Sequence, residues 1–256
     1  MTAANLLHRN DRRAAADSPA PAEIIPLQLP ACLRRSVRRG DALCSTGESF
    51  RMLYVVRCGT LKSLVISHHG LVQVTGFRIA GDIVGLDGIS TATHQTDVIA
   101  LEDTEVFELP FPLCERWSRE SAYGQHLLMR TLAQEIAGNR KHMLALGTMR
   151  AEQRMAIFLL DFSRRYAHLG YSRSRFLLRM TRKDLGSYLG LTLETVSRLL
   201  SRLQREGIIQ VQGKSLALLD FPALWRLAGV ASDCPNPVLE PIIDRLGNFL
   251  FAAGTC

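Results

Sequence analysis

The stretch from Met180 to Lys214, MTRKDLGSYLGLTLETVSRLLSRLQREGIIQVQGK, constrains this chain more than any other part of it. Thr181 can cap a first helix, with Asp184 three residues on in a capping-box position that also favours the positive helix terminus. Gly190 ends that helix. Thr192 is a second N-cap candidate, and the helix it opens runs to Gly207, a residue able to take the left-handed conformation that closes a helix. Leu185, Tyr188 and Leu189 in the first helix, and Val196, Leu199, Leu200 and Leu203 in the second, recur at helical spacing, so each helix has one face to bury. Beyond Gly207 the residues IIQVQGKSLALL alternate around Gly213 and Lys214 as a hairpin does.

The polar side chains left over lie on one face of the second helix. Glu194, Ser197 and Arg198 stand at i, i+3 and i+4, with Ser201, Arg202 and Arg205 farther along. Arg can donate two hydrogen bonds to O6 and N7 of guanine, and Glu can accept from the N4 amine of cytosine, so this spacing suits adjacent base pairs in a major groove. In isolation ETVSR reads more often as a solvated helix face. Its setting favours DNA: between Arg179 and Lys214 seven Lys or Arg stand against three Asp or Glu, and the whole chain, with 31 basic and 24 acidic residues, carries +7. Such a surface attracts phosphate.

These residues resemble the winged helix-turn-helix of the CRP/FNR superfamily of bacterial transcription regulators, in its FNR branch. The similarity extends back through GFRIAGDIVGLDGI and LYVVRCGTLKS and covers about Leu29 to Val230. It implies an α+β chain with an N-terminal β-roll like that of cyclic-nucleotide-binding proteins, a long dimerisation helix and a C-terminal winged helix-turn-helix. The expected divisions are a mobile tail (1–28), a sensory roll (29–120), the dimer helix (121–147), the DNA-binding domain (148–230) and a C-terminal extension (231–256). Glu194, Ser197 and Arg198 are expected to read bases in a palindrome similar to TTGATNNNNATCAA. Thr181, Arg182, Thr192, Ser201, Arg202 and Lys214 are assigned to phosphate. The resemblance also implies RNA polymerase as a partner, with no residues assigned to that contact.

From Leu33 to about Leu109, short apolar runs such as MLYVV, TLKSLVI and VQVTGFRI are broken by glycine, which favours a compact antiparallel roll. Between Tyr123 and Leu146, the residues Gln125, Met129, Leu132, Ile136, Asn139, Met143 and Leu146 alternate in steps of four and three. That is a coiled-coil seam, and a helix packed on its own roll is the alternative reading. In the family the matching helix pairs with its twin, placing two reading helices one duplex turn apart, so Met129, Leu132, Ile136, Asn139, Met143 and Leu146 are the expected homodimer contacts.

The family's two signalling chemistries lack their residues. Cyclic-nucleotide binders carry an Arg-Ser pair after the glycine-rich segment, whereas LDGISTATHQTDV has no arginine to neutralise a buried phosphate. Oxygen sensors of the FNR type use three closely spaced N-terminal cysteines and one in the roll, and a cluster needs four placed ligands. Here only Cys32 lies near the start, and Phe107 occupies the position in the roll. No cofactor is therefore expected of either type, and no metal. Haem or another small ligand remains a possible signal, with His68, His69 and His94 as candidate ligands, although paired histidines in a polar turn are more often simply solvated. Cys58 and Cys114 read as ordinary buried or half-buried thiols, with redox sensing the weaker option.

The six cysteines are scattered, as suits reduced thiols, and no apolar run reaches membrane-spanning or signal-peptide form, so a cytoplasmic protein is expected. No P-loop, nucleophile elbow, HExxH or CxxC is present, which argues against an enzyme. A second non-enzymatic reading is an interaction adaptor that kept the fold and lost specific DNA binding. PVLEPIIDRLGNFLF, in the C-terminal extension, could form an amphipathic helix for such a role.

Overall fold

The computed structural model describes residues 33–229. The expected N-terminal tail, Cys32 and the C-terminal extension with its amphipathic segment lie outside them.

Eight strands build the N-terminal roll: β1 (Leu33–Val37), β2 (Ala42–Cys44), β3 (Met52–Cys58), β4 (Thr60–Ile66), β5 (Val72–Ile79), β6 (Ile83–Val84), β7 (Asp97–Ala100) and β8 (Thr104–Pro110). They form two four-stranded sheets, ordered β1-β8-β3-β6 and β2-β7-β4-β5, with antiparallel pairing throughout. The inner faces supply a core of Val37, Leu43, Tyr54, Val56, Leu61, Val84, Val98 and Val106. Glycine is needed at the corners. Gly59, at φ 96°, turns β3 into β4 so closely beneath Thr104 that a Cβ there would meet the threonine hydroxyl at 2.4 Å.

Helix α1 (Phe111–Glu120) leaves the roll, and the extended residue Ser121 separates it from α2 (Ala122–Thr148). The Ser121 hydroxyl accepts from the Gly124 N–H at 3.1 Å and caps the long helix. Gly124 is buried against the Trp117 ring, which would lie 2.7 Å from a Cβ, so α1 folds back closely on the start of α2.

The C-terminal part contains α3 (Ala151–His168), β9 (Arg175–Leu177), α4 (Arg182–Leu189), α5 (Leu193–Arg205), β10 (Ile209–Gln212), β11 (Ser215–Leu218) and α6 (Phe221–Ala228). The wing is larger than the expected hairpin: β9 joins it, giving a three-stranded sheet ordered β10-β11-β9. A strand of three residues gives too short an alternation to be legible in the sequence. Helix α3 supplies the floor of this domain through Met155, Ala156, Phe158, Leu159 and Phe162.

The roll and the C-terminal domain share one hydrophobic core. Val74, Phe77 and Ile79 of β5, with Leu101, belong to the same buried cluster as the residues of α3, α4 and α5. Phe77 inserts among the rings of Phe158, Phe162 and Tyr188. Burying such a ring contributes about 1.5–3 kcal/mol, so this is a substantial contact.

Candidate nucleic-acid interface

The first helix of the reading unit begins with a reciprocal cap. The Asp184 N–H donates to Thr181 Oγ1 at 3.1 Å, while Asp184 Oδ2 accepts from the Thr181 N–H at 3.0 Å and its hydroxyl at 2.7 Å. Asp184 is buried, and burial alone would raise its carboxyl. Hydrogen bonds from Lys62 and Thr181 instead hold it below the ordinary carboxylate range. Gly190 closes α4 at φ 62°.

Between α4 and α5 the turn is tight. Gly186 lies against the carbonyl of Leu191, 2.7 Å from where a Cβ would sit, and the Leu191 N–H donates to the Gly186 carbonyl at 2.8 Å. Thr192 then caps α5, accepting from the Thr195 N–H at 3.2 Å. Val196, Leu199, Leu200 and Leu203 are buried beneath α5. The two helices are therefore packed closely across a short turn.

The opposite face of α5 is open. Glu194 and Arg198 are exposed and Ser197 is half-buried between them, all on the first two turns. The backbone N–H of Glu194 and the Thr192 hydroxyl donate to the Glu194 carboxylate, and Arg198 attracts it, holding the acid below its ordinary range. The group is thus an acceptor near neutrality, as contact with a cytosine amine requires.

The residues assigned to phosphate are not alike. Thr181, Thr192 and Ser201 are exposed along the N-terminal ends and outer face of the two helices, and Lys214 is exposed at the tip of the wing. Arg182 is half-buried, and its Nη1 has no hydrogen-bond partner in the protein. Arg202, by contrast, is already engaged: Nη1 donates to Glu152 of α3 at 2.6 Å, and Nε lies 3.4 Å from Glu206. Glu152 escapes a reading of the motif because it lies fifty residues away in a helix of unremarkable sequence. Nor does the motif announce Arg173, whose guanidinium lies over the rings of Phe221 and Trp225.

Along α2, the seam residues Met129, Ile136 and Met143 are 62%, 52% and 70% exposed, an apolar ridge repeating every seventh residue. Asn139 and Gln125 are exposed beside it, while Leu132 and Leu146 are half-buried. The same helix is also held to the roll, since its Glu135 forms a two-pronged pair with Arg78 of β5, at 2.6 and 2.9 Å.

In the roll, the segment after Gly85 is fastened on itself through Asp87. Asp87 Oδ2 accepts from the Gln95 N–H and the Thr96 hydroxyl, and Oδ1 stands 3.6 Å from Nδ1 of the buried His94. His68 and His69 are exposed in the β4–β5 turn. Phe107 is buried on β8 and packed beneath Arg34. Cys58 and Cys114 are half-buried. Among the described residues no group of three or more His, Cys, Asp or Glu could hold a metal ion, and no helix is long and apolar enough to cross a membrane.

A β-roll, a long helix with an exposed apolar ridge and an open reading helix define a DNA-binding transcription regulator. Residues 34–115 match the cyclic nucleotide-binding domain and residues 153–227 the Crp-like helix-turn-helix domain. The chain belongs to the CRP/FNR family of transcription regulators. It is 43% identical over 199 residues to the transcriptional regulatory protein btr of Bordetella pertussis, spanning 78% of this chain and 82% of that one. It is 40% identical over 196 residues to the fumarate and nitrate reduction regulatory protein of Escherichia coli K12, spanning 77% and 78%. The fold is similar to that of FixK2 from Bradyrhizobium japonicum, with a TM-score of 0.73, 31% identity and coverage of 78% of this chain and 99% of that one. The Bordetella and Escherichia relatives are regulatory proteins and not enzymes.

Proposed function

We propose that this protein is a cytoplasmic homodimer that reads an FNR-box-like palindrome, TTGATNNNNATCAA or a close variant, and acts with RNA polymerase at promoters. The observation that carries the reading is the open row Glu194, Ser197 and Arg198 on a helix whose opposite face is buried. In each half-site Arg198 donates to the guanine and Glu194 accepts from a neighbouring amine. Thr181, Arg182, Thr192, Ser201 and Lys214 hold the flanking phosphates. Arg202 joins them only by exchanging Glu152 for a phosphate oxygen. The ridge of Met129, Ile136 and Met143, with Leu132, Asn139 and Leu146 along its sides, supports pairing of two α2 helices, because an exposed apolar stripe of this length is costly in water.

The signal in this reading is neither a cyclic nucleotide nor an FNR-type iron–sulfur cluster. Residues 86–98 contain no arginine to give a cyclic phosphate its counter-charge, and Phe107 offers no ligand where the cluster's roll cysteine belongs.

The reading is tested by measuring binding of the purified full chain to the palindrome, to the same DNA with scrambled half-sites, and to each over a range of salt. A palindrome preference that persists as salt weakens both complexes is the expected result. Equal affinity for the two DNAs overturns it and favours the adaptor reading.

A further inference from the structure

Strand β5 touches both helices that matter for DNA placement. At one end Arg78 holds Glu135 of α2 through two hydrogen bonds. At the other, the roll is tied to α4 at two points. Lys62 Nζ, on the neighbouring strand β4, lies 2.6 Å from Asp184 Oδ1, on the first turn of α4. One turn later the Ser187 hydroxyl accepts from the Val74 N–H at 2.8 Å and donates to the Val72 carbonyl at 3.3 Å, while Gln73 Nε2 donates to the Ser187 carbonyl. Since β5 is an edge strand, its outward backbone groups need partners, and Ser187 supplies two of them.

Phe77 stands between these ties, buried among Phe158, Phe162 and Tyr188. An apolar plug of this kind resists separation but has little preference for rotation or sliding, because dispersion and the hydrophobic effect are non-directional. Hydrogen bonds at two points along a helix have direction, and they set its azimuth. Arg165 with Asp82 and Arg179 with Glu102 hold α3 and the segment before α4. Arg154 of α3 reaches the Gly190 carbonyl at the far end of α4 at 3.4 Å, leaving Lys62 and Ser187 as the ties from the roll to the first turns of α4. Because α4 and α5 are joined by the close Gly186 turn, whatever sets α4 also sets the reading row.

We propose that Lys62 and Ser187 are positioning residues for DNA recognition: they fasten α4 to strands β4 and β5, so that β5 acts as a strut setting the reading helix relative to the dimer helix. Neither residue touches a base. Their effect is on the distance and rotation between the two reading rows of the dimer, and hence on which half-site spacing the protein accepts. The role rests on the palindrome reading above, so the test needs one readout that does not.

The experiment uses the full chain carrying Lys62→Gln and Ser187→Ala together, with Lys62→Arg as the conservative variant. Amide hydrogen exchange is followed in Val72–Phe77, in Asp184–Ser187 and, as a control, in Met155–Phe162 of α3. The expected result is about tenfold faster exchange in the first two segments, the scale of one or two lost net hydrogen bonds, with α3 unchanged. In parallel, binding is measured to palindromes whose half-sites are separated by three, four, five or six base pairs. The wild type and Lys62→Arg are expected to discriminate against the wrong spacings by about tenfold or more, and the double variant to lose most of that preference while keeping its preference among half-site sequences. Unchanged exchange in the two segments shows that the ties do not hold α4 and overturns the proposal. So does faster exchange with full spacing discrimination, or a Lys62→Arg variant as damaged as the double variant. If the wild type has no spacing preference, the palindrome reading fails and the positioning role falls with it, while the exchange result still reports separately on the ties.

Discussion

The imidazole of His142, on the dimer helix, lies flat on the ring of Tyr188 in the first reading helix, with centroids 4.2 Å apart and planes inclined by 15°. This joins the C-terminal half of α2 to α4. His142 Nε2 is buried with no hydrogen-bond partner. Burial pushes the imidazole below its ordinary value of 6.5; a hydrogen bond with the Tyr188 backbone opposes that shift, and the Arg154 charge adds to it. The Tyr188 hydroxyl, pushed up to about 12 chiefly by burial, stays neutral over the same range.

The sign of the resulting pH dependence follows directly. Because the folded value of His142 is depressed, the unfolded chain binds the proton more readily, and stability rises with pH between the folded and unfolded values. The contribution is fully present above 6.5 and is lost as pH falls through the depressed folded value. Denaturant titrations at pH 7.5, 6 and 5 are expected to show His142→Phe losing less stability on acidification than the wild type. An identical loss in both proteins removes His142 as the source.

Base reading and phosphate holding separate cleanly by substitution. Arg198→Ala is expected to cost about 1–3 kcal/mol per half-site and to relax the preference at its guanine. Lys214→Ala should weaken all sequences alike and reduce the salt dependence by about one counterion. Affinities on cognate and scrambled DNA at several salt concentrations decide it, and equal losses on both DNAs for Arg198→Ala would falsify base reading by that residue.

Asn139 concerns association. It is exposed beside the apolar ridge and hydrogen-bonds to Glu135, whose carboxylate is also held by Arg78. A carboxylate at this point of two paired α2 helices would face its twin across the two-fold axis, and like charges there oppose pairing. The neutral side chain here removes that repulsion, so dimerisation without added ligand in air is expected. Asn139→Asp brings a second carboxylate to Glu135 and another across the axis, for about 1–2 kcal/mol, or about tenfold in dimer dissociation. Sedimentation at several protein concentrations measures this. Unchanged association in the variant places Asn139 outside the interface.

Gly186→Ala tests the rigidity of the reading unit. A Cβ would stand 2.7 Å from the Leu191 carbonyl, a backbone atom that cannot yield without opening the turn. A loss of about 1–3 kcal/mol is expected, with weaker DNA binding even at temperatures where the variant stays folded. Thermal unfolding and binding measured together provide the check, and wild-type stability would mean that the turn has slack.

Purified protein reconstituted without oxygen is expected to contain no FNR-type cluster, since Phe107 cannot ligate iron. Iron and sulfide in stoichiometric amounts, with DNA binding lost in air, would contradict this. A haem band would instead return attention to His68, His69 and His94.

What the sequence determined by itself is the part whose physics is local. Thr181 with Asp184 three residues on, Gly190 and Gly207 after the apolar periods, and the three-four spacing of α2 each specify a cap, a stop or a stripe within a few residues of chain. The face bearing Glu194, Ser197 and Arg198 was legible for the same reason, since burying Val196, Leu199 and Leu203 leaves them outside. Tertiary structure alone decided which polar groups meet. Lys62 finds Asp184 across 122 residues, and Arg202 finds Glu152 across fifty, so two side chains of similar appearance in the sequence become a tie between domains and an engaged cation. The short strand β9 exists because β11 offers it an edge, and Phe77 leaves the roll's own core because α3 and α4 surround it with rings. Pairings of this kind depend on where distant segments are brought together, and no periodicity along the chain records that.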